Sequence, residues 1–374
     1  MCRHAGECGG CKYQHIEYSD QLKEKQIYIE SLFQPNHVDA IVASDDIWRY
    51  RGKMEFTFSQ DKCGNRFLGL FICNGRGKVL DLCECLIADQ FVETILDRVR
   101  KWWISTNLLA YYPPLDRGSL QTLTVRSGTN QMVILTLSGN CKFALTSDEL
   151  DSFVKAVQVD ATTSVYIIIK CISKGVESKF YEMHLGGPQY LELKLCDIIF
   201  NISPQVFFQP NLKVAEKMLY KAIDILELKG DEKVLDLYCG VGTIGIILSN
   251  RVLQVIGIEW NANSICDAKE NIEKNRIENM QVYQGDVKDR LNNIMQFFTP
   301  DIVILDPPRI GLDVATKNFI NQIHPKKILY ISCNPKSQED DIKSLVEYKI
   351  DIIAPFDQFP HTQHIENIIL LTTK

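Results

Sequence analysis

The sequence predicts an α/β protein built on a mostly parallel, doubly wound sheet. Three observations predict it: short apolar strands alternate with amphipathic helices from Leu228 onward, one strand runs into a glycine turn at Gly240 and Gly242, and acidic or thiol side chains fall at the carboxyl ends of successive strands. Strands are expected at 233–237, 254–258, 281–283, 301–305 and 328–332, with helices between them such as 261–274 and 315–323. At the end, 350–356 and 365–372 both read as strands separated by a loop, which breaks the alternation and predicts an antiparallel final strand.

The preceding region, 41–202, has a different rhythm. Segments 54–59, 121–126, 132–137 and 164–170 alternate as strands, with helices near 89–103 and 147–157, so a strand-rich α+β domain is expected there. Two domains suit a chain of 374 residues that is 45% hydrophobic and 24% charged.

No run of about 18 apolar residues occurs, and Met1-Cys2-Arg3-His4 lacks the apolar stretch of a signal peptide. A cytoplasmic protein with no membrane partner is expected. Thirteen cysteines in such a chain are not a disulfide framework. The net charge of −6 gives no support to non-specific nucleic-acid binding, and no DNA partner is expected. The one basic cluster, Arg49, Arg51 and Lys53 among Trp48, Tyr50 and Phe56, reads as a solvated strand edge.

The glycine turn lies in Val234-Leu235-Asp236-Leu237-Tyr238-Cys239-Gly240-Val241-Gly242-Thr243-Ile244-Gly245, which also satisfies the G-x-G-x-x-G dinucleotide pattern. Both readings put a nucleotide at the strand ends, and Glu259, ending the next strand, is placed to hold ribose hydroxyls. The remaining strand ends separate them. Asp286 follows the third strand and Asp306-Pro307-Pro308-Arg309 the fourth, which is the layout of a class I methyltransferase using S-adenosylmethionine.

The fifth strand ends in Ile331-Ser332-Cys333-Asn334-Pro335, delivering a thiol to the same edge. Methylation of uracil carbon 5 needs such a thiol, because that carbon is too weakly nucleophilic until a thiolate adds at carbon 6. A base must then remove the carbon 5 hydrogen. Glu366, in Phe359-Pro360-His361-Thr362-Gln363-His364-Ile365-Glu366, is the expected base. His361, His364 and Glu366 are also metal-ligand types, but no further ligand is evident. Separately, Cys2, Cys8 and Cys11 are spaced C-x5-C-x2-C with glycines between them, and Cys83 or Cys85 can complete a set of four. Spacing alone leaves zinc and an iron-sulfur cluster both open.

Phe207-Phe208-Gln209, the D-L-Y-C-G-V-G turn, DPPR, S-C-N-P and F-P-H-T-x-H-x-E together resemble the bacterial RNA uracil-5-methyltransferase family over nearly the whole chain. The resemblance implies cofactor contacts at Gln209, Tyr238, Gly240, Gly242, Glu259, Asp286 and Asp306. Thr243 departs from it, since several members carry Asn there. It also implies a [4Fe-4S] cluster on Cys2, Cys8, Cys11 and Cys85, the last because Cys-Leu-Ile at 85–87 is similar to the family's segment around its fourth ligand.

Cluster-bearing members act on 23S rRNA, so that RNA is the expected partner of a monomeric enzyme, in a short form without an N-terminal β-barrel. The implied layout is a central iron-sulfur domain of 1–13 with 45–206, and a methyltransferase domain of 14–44 with 207–374 that includes a helix at 18–33. The alternatives are a tRNA uracil-5-methyltransferase, an exocyclic-amine methyltransferase and a nicotinamide oxidoreductase. The third has no use for S-C-N-P, and the second usually wants an aromatic residue where Arg309 stands. The target uridine is left open.

Overall fold

Period-two alternation in the first half of the chain builds one seven-stranded sheet, and the strand–helix alternation of the second half builds another. The structure, a computed structural model, describes residues 1–75, 77–173 and 176–374. The chain divides into two units, 1–15 with 46–193 and 16–45 with 194–374. The second crossing falls at 193, ahead of the expected boundary at 206, because the chain just beyond is tied into the second unit. The Asn201 amide donates to Asn271 Oδ1 at 2.7 Å, and the Ser203 amide to Asp267 Oδ2 at 2.8 Å.

Helix α1 (Tyr18–Phe33) belongs to the second unit. The first unit carries β1 (Lys53–Gln60), β2 (Arg66–Phe71), β3 (Val79–Asp81), α2 (Phe91–Ile104), β4 (Leu120–Ser127), β5 (Gln131–Ser138), α3 (Ser147–Val157), β6 (Thr163–Ser173) and β7 (Val176–Gly186). Its sheet order is β3-β2-β1-β4-β5-β6-β7, antiparallel except for β5–β6, which α3 connects. A capping box between Thr146 and Glu149 starts α3. Aromatic edge contacts, Phe58–Trp103 at 5.1 Å and Trp102–Phe153 at 4.9 Å, fill the core. Arg49 is spent on this fold: it pairs with Glu93 at 2.6 Å and donates to the carbonyls of Cys85 and Ala88.

The chain passes into the second unit through β8 (Leu191–Leu195) and β9 (Ile198–Ile202). There follow α4 (Leu212–Leu226), β10 (Lys233–Leu237), α5 (Thr243–Leu248), β11 (Gln254–Glu259), α6 (Ala262–Lys274), β12 (Met280–Gln284), α7 (Val287–Ile294), β13 (Ile302–Leu305), α8 (Val314–Ile323), β14 (Lys327–Ser332), α9 (Pro335–Ile342), β15 (Tyr348–Phe356) and β16 (Glu366–Thr373). The order is β12-β11-β10-β13-β14-β16-β15. The strands β10 to β14 are parallel, and all but the edge strand β12 are nearly all apolar, as strands covered on both faces must be. The last strand, β16, inserts antiparallel between β14 and β15. This is the mixed sheet of a class I methyltransferase fold. Among the described residues no helix is long and apolar enough to cross a membrane.

Candidate active site

The residues expected to face a cofactor gather at the carboxyl edge of the second unit's parallel strands. After β10 the backbone turns sharply, with φ of 62° at Tyr238, 56° at Gly240 and 77° at Gly242. Glycine meets this left-handed geometry without strain, and a Cβ placed on Gly240 would face open space. The turn is braced from the neighbouring β11 and from β10 itself. Glu259 accepts from the Gly240 amide (3.1 Å) and the Asn261 amide (2.8 Å), and buried Asp236 accepts from the Gly245 amide at 3.1 Å. Tyr238 turns its hydroxyl to Thr316 Oγ1, 3.2 Å away on α8.

Asp286 follows β12 and Asp306 follows β13, one acid at each successive strand end. Burial drives the half-buried Asp306 carboxyl up to about 7 and the fully buried Asp236 up to about 8, the latter with help from Asp306 and Glu259 and against the Gly245 N–H. Gln209 accepts a hydrogen bond from Gln358 Nε2 at 3.0 Å, on the loop after β15.

The thiol and the second carboxyl meet through strand register. Ser332 pairs with Asn367 across β14 and β16, so the adjoining residues, Cys333 and Glu366, lie opposite one another. Burial, then the neighbouring Glu366 carboxylate, push the Cys333 thiol above its ordinary value, and the Arg309 guanidinium partly offsets them. Burial, then Asp306, push Glu366 up to about 8, again opposed by Arg309. Arg309 also lies 3.5 Å from His364 Nδ1. Its place among Cys333, Glu366 and His364 was missed by sequence reasoning, although its position directly after Asp306-Pro307-Pro308 was a usable signal.

Buried polar side chains of α9 fix these loops, and nothing in the local sequence marks them. Asp341 accepts from Tyr330 Oη (2.7 Å), the Leu312 amide (2.8 Å) and Lys317 Nζ (3.0 Å), joining β14, the loop after β13 and α8. Fully buried Gln338 donates to the Tyr330 carbonyl at 2.9 Å and accepts from Asn367 Nδ2 at 2.8 Å, next to Glu366. Asn334 donates to the Arg309 carbonyl at 2.9 Å. Of the three metal-ligand types near the chain end, His361 is spent on α1: its backbone amide and ring Nδ1 both meet Gln21.

In the first unit Cys2, Cys8, Cys11 and Cys85 line one cavity of about 210 Å³, and Cys83 is not in its lining. Cys83 is exposed, with Sγ 3.6 Å from His4 Nε2. Burial raises the thiols of Cys8, Cys11 and Cys85, Cys85 to about 12, and the charges of Cys11 and Cys8 add to the effect on Cys85. Among the described residues no three His, Cys, Asp or Glu side chains converge as ligands of a single metal ion.

Comparison with known proteins agrees with this geometry. The model of the tRNA (uracil-5-)-methyltransferase family matches residues 17–374. An uncharacterized RNA methyltransferase of Protochlamydia amoebophila is 41% identical over 399 residues, covering all of this chain and 90% of the relative. One of Staphylococcus aureus is 32% identical, covering all of this chain and 84% of the relative. Among solved structures, the Pyrococcus abyssi tRNA (uracil-54, C5)-methyltransferase in complex with S-adenosyl-L-homocysteine has a TM-score of 0.78 at 26% identity, covering 100% of this chain and 88% of that one. With the family match running from residue 17 to residue 374, the chain belongs to the tRNA (uracil-5-)-methyltransferase family and is an RNA methyltransferase.

Proposed function

We propose that the protein methylates carbon 5 of a uridine in 23S rRNA through a covalent adduct of Cys333. The opposition of Cys333 and Glu366 at the facing ends of β14 and β16 carries this reading. S-adenosylmethionine, when bound, supplies an electrophilic methyl group. Gln209, Tyr238, Gly240, Gly242, Glu259, Asp286 and Asp306 hold it, and the open glycine turn with acids at three strand ends suits a cationic, ribose-bearing ligand.

The thiolate of Cys333 adds to uracil carbon 6, sending the ring's electron pair toward oxygen 4 as an enolate. Carbon 5 would then take the methyl group as the methyl's bond to the cofactor's sulfonium sulfur breaks, leaving a neutral thioether. Glu366 accepts the carbon 5 proton, the electron pair left behind reforms the ring double bond, and the bond from sulfur to carbon 6 breaks to return the thiolate. Arg309 sits where it balances charge on both reacting groups.

We read the four thiols that line the first unit's cavity as the ligands of a [4Fe-4S] cluster, on their chemistry and their shared cavity. Such a cluster takes one thiolate at each of four irons, so its ligands surround a volume instead of converging on one ion. In this reading Cys2, Cys8, Cys11 and Cys85 hold it, and the bond from Arg49 to the Cys85 carbonyl fixes the fourth. This cysteine set supports 23S rRNA as the substrate. A tRNA uridine is the second reading, supported by the likeness to the Pyrococcus abyssi enzyme.

Mapping 5-methyluridine in 23S rRNA and tRNA from cells with and without the protein tests both readings. The expected result is one or more 23S positions lost on deletion and restored by the intact gene but not by an Asp306→Ala variant. Loss confined to tRNA selects the second reading, and no loss in either RNA overturns both.

A further inference from the structure

The mechanism leaves unused a set of buried polar contacts between α1 and the loop that leads to Glu366, residues more than 300 positions apart. Lys25 Nζ lies 2.6 Å from Asp357 Oδ1, with side chains 2% and 0% exposed. Asp357 directly follows Phe356, and Phe356 is the strand partner of Glu366. Lys25 also donates to the Phe359 carbonyl at 3.3 Å. One turn earlier on the same helix, fully buried Gln21 grips His361 twice: its Oε1 accepts the His361 backbone N–H at 2.8 Å, and its Nε2 faces His361 Nδ1 at 3.1 Å.

Because Oε1 is committed to the backbone N–H, Nε2 is the donor to Nδ1. His361 has φ of 66°, a left-handed conformation that a non-glycine residue keeps only where its surroundings over-determine it. Gln21 supplies that constraint five residues before Glu366.

We propose that Gln21 and Lys25 are positioning residues for the base, holding the 357–365 loop so that Glu366 reaches the substrate's carbon 5 hydrogen. The inference rests on the catalytic reading above. A buried ion pair holds the start of the loop and a two-point amide contact holds its middle. Both act on the short segment whose end carries Glu366. Misplacement of a reacting group by about 1 Å costs on the order of 10²-fold in rate, so loss of the grip strikes the elimination step and spares thiol addition.

Single-turnover assays on transcripts of 23S rRNA and tRNA, read on denaturing gels together with S-adenosylmethionine affinity, test this. Gln21→Met is expected to form the protein–RNA adduct at the wild-type rate, bind S-adenosylmethionine normally, and release methylated RNA about 10²-fold more slowly. Gln21→Glu keeps the acceptor for the His361 N–H but loses the amide donor to His361 Nδ1 and to the Ile16 carbonyl, and is expected to recover only part of the release rate. The double variant Lys25→Met with Asp357→Leu removes both charges without stranding one, and is expected to accumulate adduct in the same way. Release at the wild-type rate in Gln21→Met and in the double variant overturns the inference. So does a parallel loss of adduct formation, cofactor affinity and release in both, which makes α1 a folding element only. If wild-type protein is not trapped by 5-fluorouridine transcripts in the same experiment, the covalent mechanism itself fails, and the inference with it.

Discussion

Ser332 of β14 faces Asn367 of β16 across an antiparallel ladder, and this pairing sets Cys333 against Glu366. A parallel β16 would have carried the carboxyl to the opposite edge of the sheet, away from the glycine turn and Asp306. The buried amide of Gln338 locks the register by bonding both Asn367 and the carbonyl of Tyr330.

Separate roles for the two groups predict separate failures. Glu366→Gln is expected to add its thiol and take up the methyl group but not to let go, since a positioned base contributes about 10² to 10⁴-fold. A slower protein–RNA band should persist through a denaturing gel. Cys333→Ala should give neither band nor product, and 5-fluorouridine RNA should trap the unmodified enzyme. Normal methylation by Cys333→Ala would contradict the adduct.

Burial raises Glu366 to about 8, with Asp306 adding to it, and raises the Cys333 thiol, so both groups react in the form favoured by alkali. Turnover should climb as pH rises through about 8. Stability should move the other way. Glu366 and Asp236 near 8 and Asp306 near 7 hold protons that the unfolded chain releases near pH 4. Their contribution is complete below the unfolded values and is lost as pH rises through the folded ones. Unfolding midpoints of ligand-free protein should fall from about pH 5 to about pH 8, less so in Glu366→Gln. A flat or rising profile would count against these carboxyls being neutral.

The cysteine cavity predicts a metal content. Protein purified without oxygen should be brown and hold about four irons per chain. Cys85→Ser should lose iron, because Cys85 lines the cavity, and Cys83→Ser should keep it, because Cys83 is outside the lining. Stoichiometric zinc without iron would refute the cluster.

Asp341 is the most heavily used buried carboxylate of α9, and its removal should be costly without touching a reacting group. Asp341→Leu strands the Leu312 amide, the Tyr330 hydroxyl and Lys317 together, a loss of about 3–5 kcal/mol by chemical denaturation. Gly311→Ala should destabilise as well, since φ is 86° and a Cβ there would meet Asp341 Oδ2 at 2.5 Å. An Asp341→Leu variant as stable as wild type would show that the network contributes nothing.

The local pattern of the chain was enough to locate β10 to β14 and the helices α6 and α8, because apolar periodicity and turn residues act within a few positions of one another. It also showed which strands end in Glu259, Asp306 and Cys333. Strand β7 escaped notice, since exposed Phe180, Tyr181 and Met183 blur its alternation. Two relationships had no local signal at all: the 332-residue reach from Lys25 to Asp357 and the register that sets Cys333 opposite Glu366. Each depends on which elements pack together and in what register. That choice is made by burial and hydrogen-bond satisfaction over the whole unit, so residue types at the site were readable from sequence, and only the tertiary structure decided which of them stand face to face.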